Sequence, residues 1–74
     1  MQLSDMHVGD RAIVRQIDVD NSIKRRLMDM GIVKNTKIEC LYESMFKDPV
    51  AYLVRGCVLA IRKCDSKKIE VELL

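Results

Sequence analysis

The stretch from Asn21 to Thr36 constrains this chain most, because it encodes both ends of a short helix and the turn that follows it. Ile23, Leu27 and Met30 recur at i, i+4 and i+7, which at about 100° per residue sets them on one core-facing stripe. Asp20, Asn21 and Ser22 each offer a side-chain oxygen to the unpaired N–H groups of a first turn, so one of them is expected as the N-cap. Gly31 stops the helix. With Gly31 left-handed just past the cap, Ile32 is brought against Leu27, the apolar contact that accompanies a Schellman ending. Val33 to Thr36 then reads as a tight turn, with Asn35 at the third position, where a type II turn needs positive φ.

Alternation elsewhere has the period of strands. Arg11 to Ile17 is expected as the first; Ala12 and Val14 alternate but Ile13 and Ile17 fall on the other phase, the mark of a bulge or of a strand covered on both faces. Lys37 to Glu43 places Ile38, Cys40 and Tyr42 inward. Pro49 can open the next strand but not sit in its middle, and Val50, Tyr52 and Val54 form its inner face. Cys57, Leu59 and Ile61 continue inward after Gly56, Cys64 to Lys68 is a short helical turn or loop, and Ile69, Val71 and Leu73 close the pattern. Leu3 and Met6 are placed to plug one end of the core. The expected fold is mainly β: a small antiparallel β-barrel of five strands, with one α-helix inserted after the first strand, as a single domain over residues 1–74. A barrel removes the exposed edges that such short strands would present; an open α+β sandwich is the alternative.

With 74 residues the core supplies little stability, about 3–5 kcal/mol for chains of this size. Thirteen basic against eleven acidic residues, a net +2, is too balanced to announce a nucleic-acid protein. Met1 opens a polar segment without an apolar leader and no uncharged run approaches a membrane span, so a soluble, cytoplasmic chain, complete from Met1, is expected. Three cysteines without a C-x-x-C pair indicate reduced thiols.

His7, Cys40, Cys57 and Cys64 are the candidate metal ligands, but they lack the close pairs of a zinc site, and no metal is expected. Cys40 and Cys57 fall on apolar strand faces and read as core residues; His7 and Cys64 read as surface residues. Neither a paired nucleophile and base nor a P-loop occurs, so no catalytic residue and no cofactor are expected. Lys24-Arg25-Arg26 reads as a solvated helix face, since no aromatic platform for base stacking accompanies it. Met28 projects away from the Leu27 stripe between Lys24 and Arg25, which suits an adaptable partner surface, and Met45 with Phe46 adds a second exposed apolar pair.

Arg26-Leu27-Met28-Asp29-Met30-Gly31-Ile32 and the turn after it resemble the R-L-x-x-L-G-hydrophobic-x-x-G-T signature of the FeoA family. Asp48-Pro49 resembles that family's G-D-P hairpin tip, and Leu59-Ala60-Ile61-Arg62 its apolar-Ala-Leu-Arg strand, so the likeness spans nearly the whole chain. The chain departs from the pattern with Lys34-Asn35 in place of Pro-Gly and Lys47 in place of Gly. The resemblance implies an SH3-like barrel, in which Leu27, Gly31, Asn35 and Pro49 keep the structural roles read from the residues above. It also implies an accessory protein of ferrous iron uptake that binds the membrane GTPase FeoB and meets the membrane only through it. Two other classes share such a barrel: a regulatory domain like that of iron-dependent repressors, and a small nucleic-acid-binding barrel.

Overall fold

The computed structural model describes residues 1–74, and its elements follow the local patterns closely. A 3₁₀ turn at Leu3–Asp5 precedes β1 (Arg11–Ile17), α1 (Asn21–Asp29), β2 (Lys37–Glu43), β3 (Val50–Val54), β4 (Cys57–Ile61), α2 (Lys63–Ser66) and β5 (Ile69–Leu73). All strand contacts are antiparallel, in the order β4-β3-β2-β1-β5. The expected closure is therefore not made through backbone hydrogen bonds: β4 and β5 do not pair, and the sheet curls into a barrel that stays open between them.

Two bulges supply the curl. In β1 the pairs run Val14 with Val71 and then Gln16 with Glu70, leaving Arg15 as the extra residue. In β2 they run Cys40 with Tyr52 and then Tyr42 with Ala51, leaving Leu41 extra. An inserted residue bends the strand and changes which side the next side chains take. The first bulge accounts for the phase of Ile17; Ile13, before it, is half-buried on the other face. The second corrects the expectation for Tyr42, which stands outside at 58% exposure because the alternation slips at Leu41.

The core comprises Leu3, Met6, Val14, Leu27, Ile32, Ile38, Cys40, Tyr52, Val54 and Ile69, among others, so Leu3 and Met6 do plug one end. Cys57 is a second correction. It opens the edge strand β4 just after the positive-φ pair Arg55 and Gly56, and with no strand beyond it the thiol is exposed. Leu73, at the end of β5, is likewise half exposed.

The helix ends as its residues specify. Gly31 has φ 97°, the Ile32 N–H donates to the Leu27 carbonyl at 2.8 Å, and the Gly31 N–H donates to the Met28 carbonyl at 2.9 Å. These are the two bonds of a Schellman cap. At the other end Asp20 holds the N-cap position, but its side chain makes no cap bond. Met30 is a further correction: its N–H is shared between the Arg26 and Leu27 carbonyls in a tightened last turn, and Met30 lies at the rim of the apolar stripe, 39% exposed, not in the core. Thr36 N–H bonds the Val33 carbonyl at 3.1 Å with Asn35 at φ 73°, the turn that the sequence specifies.

Burial of the Tyr52 ring pushes its phenol up to about 12, with the neighbouring Cys40 adding to the shift and the Ser66 hydroxyl opposing it. Burial also raises the Cys40 thiol, with Glu43 and Asp10 contributing. Both groups lose their protons more readily in the unfolded chain, so above the ordinary thiol value of 9.0 the unfolded state binds fewer protons than the folded one. Stability is thus fully present below about pH 9 and is expected to fall as pH rises towards 12. Urea midpoints measured across this range should decline, and a Tyr52→Phe chain should decline less steeply.

Candidate docking surface

Helix α1 packs with Leu27 inward and leaves a groove along each flank. On one flank, Ile23 and Met30 face Ala60 and Ile61 of the β4 edge across a concavity of about 260 Å³, with Arg26, Arg62 and Asp65 at its margin. On the other, Lys24 and Met28 of α1 face Arg15 and Ile17 of β1, and Val33 and Lys34 of the turn close the end. That concavity is about 410 Å³. Lys24 and Met28 are four residues apart and so stand side by side on the helix.

The far wall of this second groove is fixed by the fold. Asn35 N–H donates to the Val14 carbonyl at 2.6 Å and Val14 N–H donates to the Thr36 carbonyl at 2.9 Å, stitching the turn to β1. The Arg15 guanidinium donates from Nε to Glu72 at 2.8 Å and from Nη1 to the Asn35 side-chain oxygen at 3.1 Å. Asn35 thus serves the site twice, through its backbone conformation and through its amide oxygen.

Of the residues proposed from sequence, the structure brings Lys24 and Met28 into one groove; Met28 is 50% exposed. Arg25 lines neither flank and points to solvent. Met45 and Phe46 lie elsewhere, on the β2–β3 connection, at 91% and 86% exposure. That connection is held rather than loose. Ser44 N–H donates to the Pro49 carbonyl at 3.1 Å, Lys47 N–H donates to the Ser44 carbonyl at 2.8 Å, and Asp48 Oδ1 accepts from the Lys63 N–H at 3.0 Å. Lys47 takes φ 64° where a glycine would be easier.

Sequence reasoning missed Arg15, Ile17, Val33 and Lys34. The mixed phase of β1 allowed a bulge without placing it at Arg15, and nothing local shows that the helix lies across from it. Cys40 is buried as expected, and the exposed Cys57 and Cys64 thiols and His7 join no group of three or more potential metal ligands. The two displaced protonation equilibria, at Cys40 and Tyr52, belong to the core and not to either groove. No helix is long and apolar enough to cross a membrane.

Comparison with known proteins places the chain in a family. The FeoA domain model matches residues 1–73. The whole chain is 32% identical to part of the Fe(2+) transport protein A/Fe(2+) transporter FeoB fusion protein of Porphyromonas gingivalis, and spans 9% of that protein's length. The solution structure of the FeoA protein from Chlorobium tepidum superposes with a TM-score of 0.95 at 34% identity, covering 100% of this chain and 70% of the other. The zinc-complexed FeoA of Stenotrophomonas maltophilia, a prokaryotic SH3 domain protein, has the same fold. It aligns with a TM-score of 0.84 at 24% identity over 97% of this chain and 89% of its own.

Proposed function

Because this chain belongs to the FeoA family, we propose that it is a non-enzymatic accessory module of ferrous iron transport that docks on a FeoB-type membrane transporter and modulates it. The fusion in Porphyromonas gingivalis carries this reading, because there a relative of the whole chain shares one polypeptide with FeoB. Fusion holds two modules at a high effective concentration, an arrangement that serves modules that act together. A separate module has to achieve the same encounter by binding, and that requires a surface. Met28 with Lys24 and Arg25 on α1, and Met45 with Phe46 on the β2–β3 connection, are the exposed groups suited to it. Docking takes place at the cytoplasmic face, and the chain reaches the membrane only through its partner.

Binding to a FeoB-type transporter reconstituted in nanodiscs tests the reading. The wild-type chain should be captured and should change the rate of GTP hydrolysis or of iron uptake. Met28→Ala and Phe46→Ala should each melt within about 0.5 kcal/mol of wild type, as exposed substitutions do, while at least one of them weakens capture. Absence of capture together with unaltered transport would refute the proposal.

A further inference from the structure

The groove between α1 and β1 differs from every other concavity on the molecule in its charge. Its lining holds Arg15, Lys24 and Lys34 and no carboxylate, although Glu72 pairs with Arg15 and offsets its charge, so the uncompensated cations are the two lysines. The four others each carry at least one carboxylate: Asp65 in the first, Glu39 in the second, Asp18 and Glu70 in the third, and Asp10 in the last. Lys24 and Lys34 form no ion pair within the chain. Arg15 is oriented by Glu72 and Asn35, and the two bonds it makes leave three of its five N–H groups free. Between these cations lies an apolar floor of Ile17, Met28 and Val33.

We propose that this groove seats an acidic segment of a partner polypeptide, with one apolar side chain lodged on Ile17, Met28 and Val33 and flanking carboxylates on Lys24, Lys34 and Arg15. The inference deepens the docking reading, in which the segment belongs to the transporter. Three features select this occupant. A groove of about 410 Å³, open to solvent, has room for one side chain. A bare anion would gain nothing from the apolar floor, whereas an anchored acidic peptide uses both floor and rim. The thioether of Met28 adapts to the shape of the incoming side chain, while the stitched turn and the oriented Arg15 keep the opposite wall fixed, which lowers the entropic cost of binding.

The test is a titration of ¹⁵N- and methyl-labelled protein, followed by NMR, with a synthetic peptide of glutamate and aspartate around a central leucine. Shifts should concentrate on Ile17, Met28, Val33 and Lys34. Exchanging the leucine for alanine should weaken binding about tenfold, the value of burying one such side chain. Added salt should weaken it further. Lys24→Glu combined with Lys34→Glu, both exposed and unpaired, should keep the melt and lose the shifts. Shifts spread equally over Arg25, Lys67 and Lys68, indifference to the leucine, or unchanged binding by the double variant would each overturn the groove. The reconstituted transporter separates the two proposals. Equal capture of wild type and double variant overturns the groove and leaves docking standing; peptide binding in the groove without capture of either chain upholds the groove and refutes docking on that transporter.

Discussion

Replacing Ile32 by alanine is expected to cost about 3 kcal/mol, within the range for removing a buried isoleucine side chain. Ile32 is fully buried, seated against Leu27 where the chain leaves the helix. The Ile32 N–H that bonds the Leu27 carbonyl survives the substitution, so the loss is one of packing and of the cavity left behind. A core of this size supplies only about 3–5 kcal/mol, so most of the margin should disappear. Urea unfolding followed by circular dichroism measures it. Ile32→Val should lose about 1 kcal/mol and remain cooperative. A midpoint for Ile32→Ala equal to that of wild type would mean that the neighbours collapse into the space and that this end of the core is not close-packed.

Gly31→Val should lower the melting temperature by about 10 °C, on the basis of about 2 kcal/mol of backbone cost and about 4–8 °C per kcal/mol in a domain this small. Space is not the obstacle. A Cβ at Gly31 would meet Arg55 Cδ at 3.4 Å, and that flexible side chain can give way. The cost lies in φ 97°, which a β-branched residue adopts only under strain. The alternative is to abandon the left-handed turn, and with it the bonds from Ile32 to Leu27 and from Gly31 to Met28. Gly31→Asn should lose less than Gly31→Val, since asparagine tolerates the left-handed region, as Asn35 does at φ 73°. Equal melts for the valine and asparagine chains would contradict a conformational origin.

The valine substitution at Gly31 reaches the groove as well as the core. The Schellman cap sets where the chain turns towards Val33 and Lys34, and these two residues form one end of the groove on Met28. Loss of the cap should therefore weaken partner binding even in the fraction of molecules that stay folded. Substitutions at Met45 or Phe46, exposed on a connection tied to α2 through Asp48, should leave the melt unchanged.

The sequence by itself determined what is local. Strand limits, the helix and its Schellman ending, the positive φ of Asn35 and the inward placement of Leu27, Val54 and Cys40 each depend on residues a few positions apart, whose preferences agree. Only the tertiary structure decided the rest, because it depends on which strands pair. The order β4-β3-β2-β1-β5 leaves β4 at an edge and so exposes Cys57, which alternation had turned inward. The bulge at Leu41 turns Tyr42 outward, because the slip is set by register against β3 and not by β2 alone. Met30, in the tightened last turn, stays at the rim of the core and not within it. The groove is the clearest case. Arg15, Lys24 and Lys34 lie on a strand, a helix and a turn, and their charges converge only because α1 folds back across β1 and the turn is stitched to Val14.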